Sequence, residues 1–323
     1  MITLSIIIVL YNEFDKVKQC IASIKKEHIL NSELLLVDNS TERGVNKVLQ
    51  LYSDIKYIKN KTNLGFAKGV NIGFAKARGK YILVLTPDTQ VLPETIKKTL
   101  AYIKIHEKAG LVGCRIYSYP KVFHPSAFHS FPNLLTHVYE YNIPFYKLYK
   151  LFSKNYHPAF YSANDHKKEL SPKHIIGAYM LFRKSALDDV GFFDKQFILF
   201  REETDLCKRL MNNGWEIRYI PIDGLVHYGG AAWKKTTISQ ALPNYMQSTY
   251  LFFKKHYGAM YMIIAWIIGF MSALISIPFL FITIIFKKLI HRQTQARILL
   301  PAWIAIVKWH MTKGIQQIFF NTI

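Results

Sequence analysis

Acid is what the last third of this chain lacks. No Asp or Glu follows Asp223, while ten Lys and Arg do, within a net charge of +21. A charge asymmetry this sharp points to an anionic partner, either a membrane surface or nucleic acid. Zinc-finger, helix-turn-helix and RNA-binding signatures are also missing, so no nucleic acid partner is expected. Cysteine is scarce. Cys20, Cys114 and Cys207 stand far apart and form no CxxC pair. That argues against a zinc site and a disulfide framework, and for reduced thiols in a cytoplasmic domain. Glycine is absent after the first apolar run, where the chain reads YNEFDKV. Gly65, Gly69 and Gly73 come later at spacing four. Neither matches GxGxxG, so a nicotinamide cofactor is disfavoured. No basic n-region or small-residue cleavage site precedes the first strand, so no signal peptide is expected.

Charge of either sign is missing from Gly258 to Phe286, a run of 29 residues. Roughly 20 apolar residues cross a bilayer, so one span fits and two do not. Tyr261 and Trp266 sit near one end, where interfacial aromatics belong. Lys254-Lys255 and Lys287-Lys288 flank both ends, so the positive-inside rule gives no direction. Pro278 keeps a re-entrant hairpin or an in-plane helix open beside a span. A buried core helix is the bland alternative. Further on, Trp303, Ile306, Val307 and Trp309 with Lys308 and Lys313 read as an interfacial amphipathic segment.

The chain up to about residue 116 alternates strand and helix five times. LSIIIVL (4–10) is a short, continuous apolar run rich in β-branched residues, as in a strand buried on both faces. Strands are expected again at 34–37, 55–58, 81–85 and 111–116, with helices between. This is the pattern of a doubly wound parallel sheet. Such sheets bind ligands at the C-terminal ends of their strands. Asn12, Glu13, Asp38, Asn39 and Asp88 occupy those ends and should share one crevice. From 117 to 173 the pattern weakens into a stretch rich in Tyr, Phe, His and Pro, with no HxxxH pair. It reads as a loop region or lid.

One acidic stretch organises the rest. Glu202, Glu203 and Asp205 follow a run of large apolar residues and open a helix that Gly214 ends. Helix capping alone would account for them, since a helix N-terminus favours anions.

The motifs SIIIVLYNE, LLLVDNS, NLGFAKGVNIGFAKARGKYILVLTPD, GAYMLFRKSALDDVGFFD, EETDLC and LVHYGG resemble, in order, family 2 glycosyltransferases, and most closely their rhamnosyltransferase-like branch. The resemblance covers about residues 3–232. It implies a GT-A fold: an α/β domain with a Rossmann-like, mostly parallel central sheet flanked by helices. The hydrophobic, basic tail would add membrane-associating helices. The domain would span 1–240, with a nucleotide-binding half at about 1–116 and an acceptor half at about 117–240. The tail would be 241–323.

The resemblance also implies inverting transfer of a sugar, rhamnose as leading guess, from a nucleotide diphosphate sugar. The acceptor would be a lipid-linked or cell-surface glycan precursor at the cytoplasmic side of a membrane. Asp88 matches the last acid of the family's DxD motif, which here reads Thr86-Pro87-Asp88. His227 matches the histidine that completes the metal shell, so Mg²⁺ or Mn²⁺ is the implied cofactor. A satisfied loop histidine is the bland reading of His227 alone. Asp38 matches the acid that reads the pyrimidine. Tyr11 and Glu13 would flank the nucleoside, with Asn63, Gly65 and Asn71 near nucleotide and ribose. For Asn71 a plain helix-face role stands equally. Gly177 matches the glycine beneath the donor sugar. Glu203 aligns with the catalytic base, usually Asp, and Glu202 and Asp205 would support it by raising its proton affinity. The lone acid at 88 and the Glu at 203 leave a rival from another class: an inactive nucleotide-sugar-binding scaffold at the membrane.

Overall fold

The computed structural model describes residues 2–119, 122–123, 127–153, 161–162, 164–197, 199–229, 238–290 and 293–316. Parts of the expected lid (120–121, 124–126, 154–160 and 163) and Gly230 lie outside the described residues. Two compact units form. The first takes Met1–Phe131, Phe160–Ile198 and Glu202–Gly229; the second takes Pro132–Ala159, Leu199–Arg201 and Gly230–Ile323. The expected acceptor half is thus divided between them.

The first unit holds the strands β1 (Leu4–Leu10), β2 (Ser32–Asp38), β3 (Lys56–Lys59), β4 (Tyr81–Leu85), β5 (Thr89–Val91), β6 (Ala109–Ser118), β7 (Val122–Phe123), β8 (Phe128–His129), β9 (His174–Ile175), β10 (Tyr179–Arg183) and β11 (Glu216–His227). The main sheet runs β3-β2-β1-β4-β10-β6-β11-β5, with β7 paired to β6. Its first four strands are parallel. β10 then inserts antiparallel between β4 and β6. The alternation therefore continues in sequence but not in space: β6 does not neighbour β4.

Four helices connect the first six strands: α1 (Phe14–Lys25), α2 (Asn46–Leu51), α3 (Phe66–Lys76) and α4 (Thr95–Ile105). The glycines at spacing four have a packing cause. A Cβ at Gly69 would lie 2.7 Å from Val9 Cγ1, and one at Gly73 would lie 2.6 Å from Ile7 Cγ2. Both let α3 lie close on β1. All three cysteines are buried and unpaired.

Glu33 ties the N-terminal edge of the sheet together. It accepts from Ser5 at 2.6 Å, Lys56 at 2.5 Å and the Arg78 N–H at 2.7 Å. Burial opposes its charge, but the Lys56, Ser5 and Arg78 bonds outweigh that and pull its pKa down to about 2. A carboxylate lowered in the fold stabilises at pH values above its ordinary 4.5, and that contribution fades as pH falls toward about 2. Glu33→Gln should therefore melt lower than wild type at pH 7, with the gap closing in acid. A gap independent of pH would disprove the linkage.

The second unit is helical. α5 (Leu134–Tyr141) starts at a capping box of Asn133 and Thr136, and α6 (Ile143–Phe152) starts where the Asn142 side chain accepts from Phe145 N–H. Both lie inside the stretch expected as a lid. Three tail helices follow: Ile238–Tyr257, Ala259–Leu289 and Ala296–Trp309. The middle one runs through Pro278 without a break, which removes the re-entrant hairpin. At 31 residues and about 1.5 Å each, it outreaches the roughly 30 Å hydrocarbon core. Met262, Ala265, Gly269, Ala273 and Ser276 form its buried stripe. Ser276 accepts from the Ile143 N–H at 2.9 Å, and Tyr261 from the Leu134 N–H at 3.1 Å. Its other face exposes Ile264, Ile267, Met271, Phe281 and Ile282. Only 28% of its most apolar window is buried, so it is not a core helix. The last tail helix departs from expectation. Trp303, Ile306 and Trp309 are buried, so its apolar stripe faces protein.

Candidate functional site

The C-terminal ends of β1, β2 and β4 are neighbours by register, with Leu10 beside Asp38 and Ile8 beside Leu85. Asn12 ties the first two ends together. Its backbone φ is +53°, and its side chain accepts from the N–H groups of Thr41 and Glu42 at 3.0 and 3.1 Å. Tyr11 beside it is 39% exposed. Glu13 opens α1 and pairs with Lys16 at 3.0 Å.

Asp38 is buried and engaged. Its Oδ2 accepts from Tyr57 Oη at 2.8 Å and Lys59 Nζ at 3.1 Å; its Oδ1 accepts from Ser40 N–H at 2.8 Å. Burial opposes the charge, yet the bonds from Ser40, Tyr57 and Lys59 hold the carboxyl below its usual range.

Gly65 caps α3 at φ +81°, a conformation costly for any residue with a Cβ. Asn63 Oδ1 accepts from its N–H at 2.9 Å, and Asn39 donates to its carbonyl at 3.0 Å. The next residue, Phe66, faces Gly177: a Cβ there would meet its ring at 3.8 Å. That is ordinary contact, so Gly177 is not a steric necessity here. Asn71 is turned elsewhere. Its amide donates to Phe193 O at 2.8 Å and accepts from Phe193 N–H at 3.2 Å, clamping the loop after Gly191.

β11 delivers His227 to Asp88. Pairing sets His227 beside Thr89 in β5. His227 Nε2 then lies 3.2 Å from Asp88 Oδ1, and Tyr228 N–H donates to Asp88 O at 2.9 Å. Asp88 is 5% exposed. Burial disfavours its charge, but His227, then Thr86 and Lys16, hold its pKa below the usual carboxylate value. Two cis ligands of one octahedral Mg²⁺ or Mn²⁺, each about 2.1 Å from the ion, stand about 3 Å apart. The oxygen and nitrogen here fit that spacing. Among the described residues no group of three or more His, Cys, Asp or Glu could hold an ion alone. The pair supplies two ligands and leaves the rest of an octahedral shell to donors from outside the chain.

The acidic residues open the helix Glu202–Asn212. Phe200 and Arg201, just before it in the chain, both carry positive φ, +68° and +66°. Such residues cost about 1–3 kcal/mol each and persist where their surroundings hold them. Arg201 is anchored by Thr249 Oγ1 at 3.2 Å, Glu140 at 3.5 Å and the Tyr245 ring at 4.5 Å.

The three acids then separate by environment. Asp205 is fully buried and pairs with Arg209 at 2.8 Å, and Arg209 also donates to the carbonyls of Val190, Gly191 and Phe192. Asp205 is therefore a structural clamp. Glu202 is buried, its Oε2 has no hydrogen-bond partner, and burial and the Glu203 charge push its pKa well up. Its carboxyl thus stands beside Glu203 in a setting that disfavours its charge. Glu203 is the partly open one, with a side chain 18% exposed.

A histidine pair missing from the sequence reading stands behind Glu203. His174 Nε2 lies 3.8 Å from Glu203 Oε1, and its Nδ1 lies 3.0 Å from His129 Nδ1. β8 and β9 create this contact by pairing His129 with His174 across 45 residues. No local spacing could reveal it. The apolar flanks of His174 in HIIG were its one signal.

The sequence pattern described as Glycosyl transferase family 2 matches residues 5–191, more than half of the chain. The chain belongs to that family. It is 24% identical over 262 residues to an N-acetylglucosaminyl-diphospho-decaprenol L-rhamnosyltransferase of Mycobacterium tuberculosis, covering 77% of this chain and 83% of the relative. It is 24% identical over 254 residues to rhamnosyltransferase WbbL of Escherichia coli, covering 76% and 90%. Two solved structures share the fold. A mannosyltransferase from Pyrobaculum calidifontis with GDP-Man and Mn²⁺ superposes with a TM-score of 0.55 at 12% identity, over 99% of this chain and 88% of that one. TarS of S. aureus with UDP superposes at 0.51 and 16% identity, over 78% and 66%. Family 2 membership and the GT-A fold agree with the resemblance read from the motifs.

Proposed function

We propose that this glycosyltransferase moves a sugar, rhamnose first among candidates, from a nucleotide diphosphate sugar to a hydroxyl of a lipid-linked or cell-surface polysaccharide precursor, with inversion. The observation that carries the reading is the Asp88–His227 pair at 3.2 Å beside strand ends of a family 2 chain. The rhamnosyltransferase relatives favour the sugar.

Asp88 and His227 would hold Mg²⁺ or Mn²⁺, which when bound would supply positive charge for the leaving diphosphate. Tyr11, Glu13 and Asp38 contact the nucleoside, and Asn63 and Gly65 the ribose side. Asn71 acts through the Phe193 loop. Gly177 lies under the donor sugar. The acceptor oxygen bonds to the anomeric carbon as the bond to the diphosphate breaks. Its proton passes to Glu203.

The tail attaches the enzyme to the cytoplasmic face of a membrane. The apolar face of Ala259–Leu289 and the acid-free basic charge support this. The full chain should pellet with membranes at high salt, since apolar burial is not screened, and should require detergent for release. With Mn²⁺, a dTDP-linked deoxyhexose should raise its melting temperature more than UDP- or GDP-sugars do, and should be turned over with a lipid-linked acceptor. A soluble chain at low salt would remove the membrane assignment. A thermal shift with no turnover would favour the inactive scaffold.

A further inference from the structure

The helical unit contains a cavity of about 520 Å³. That lies within the range of ligand sites, about 300–1,000 Å³. α5, α6 and all three tail helices line it, and its walls are largely aromatic and aliphatic: Tyr139, Tyr146, Phe279, Leu280, Leu299 and Trp303. Phe279, Leu280 and Thr283 place it toward the Lys287-Lys288 end of the apolar helix, not at its middle.

Two wall residues connect it to the catalytic segment. Glu140 and Tyr245 line the cavity and also hold Arg201, at 3.5 Å and 4.5 Å. The chain runs from Arg201 directly into Glu202 and Glu203. Consecutive Cα atoms are about 3.8 Å apart, so the cavity wall grips the chain within two residues of the proposed base.

We propose that this cavity takes the polyprenyl chain of the lipid-linked acceptor. The inference rests on the proposed transferase reading. Aromatic walls pack well against a methyl-branched chain. The relative from Mycobacterium tuberculosis is named for an acceptor that carries such a chain. Lys147 on the lining and the acid-free tail give the surroundings the charge that a lipid diphosphate needs.

The test measures direct binding, not turnover. Full-length protein in detergent is titrated with a polyprenyl phosphate, followed by its tryptophan fluorescence, with a diacyl phosphatidic acid in parallel. Leu299→Trp and Thr283→Phe fill the cavity from two different helices. Each should weaken polyprenyl phosphate binding at least tenfold. Ile304→Trp, on an exposed face of the last tail helix, should bind as wild type. Nucleotide-sugar binding reports that each variant is folded. Equal affinity for phosphatidic acid and polyprenyl phosphate, or undiminished binding by both folded filling variants, overturns the proposal. Absence of sugar transfer with polyprenyl binding intact would instead defeat the transferase reading and leave the cavity assignment standing.

Discussion

Glu203→Gln should lower sugar transfer by at least about a hundredfold, the lower end of what general-base catalysis contributes. The substitution keeps size and hydrogen bonding but cannot accept a proton. Donor affinity should stay near wild type, because the loss belongs to the transition state and not to binding. Glu202→Gln should lose far less. Burial and the neighbouring Glu203 charge push the Glu202 pKa well up, and Gln resembles a protonated Glu closely. Asp205→Asn should chiefly lose stability, since it weakens the grip of Arg209 on residues 190–192. Rates of all three at saturating donor, read beside their melting temperatures, decide the assignment. An active Glu203→Gln beside a dead but well-folded Asp205→Asn would move the base to Asp205.

This ordering of the acids shows what the chain disclosed and what it withheld. The strand Leu4–Leu10 was legible because a short, mostly apolar run rich in β-branched residues suits a strand buried on both faces. The crowding of acids at the start of the Glu202–Asn212 helix was equally plain. Their separate tasks were not. The upward push on the Glu202 pKa follows from burial, and engagement of Asp205 follows from where Arg209 reaches; both depend on tertiary contacts. For Asn71 the sequence left a ribose contact and a plain helix-face role equally open, and its bonds to the Phe193 backbone are made 122 residues away, beyond local pattern. α5 was hidden because its buried face is Thr136, His137, Tyr139 and Tyr141 and not aliphatic, and α6 because it buries only Ile143. The signal for them was the helix-capping Asn133 and Asn142, the latter followed closely by Pro144. The insertion of β10 between β4 and β6 was beyond any local pattern, since strand order is set by packing of distant segments.

Asp88→Ala should abolish the part of donor affinity that depends on Mn²⁺. Thr86 and Pro87 offer no second carboxylate, so the loss removes the motif's whole negative charge. Changes to residues that merely orient a metal ligand cost about 10- to 100-fold, and removing a ligand should exceed that. His227→Ala should cost less, because the Asp88 carboxylate and the diphosphate would still hold the ion by charge. Asp88→Asn guards against collapse of the site, since the amide keeps an oxygen near His227 while losing the charge. Titration calorimetry with nucleotide sugar checks all three, with Mn²⁺ and then with chelator. In chelator the variants and wild type should bind the donor alike and weakly. Unchanged affinity of folded Asp88→Ala with Mn²⁺ present would mean that the Asp88–His227 pair is an internal strut between β5 and β11, and that the cation, if one is used, is held elsewhere.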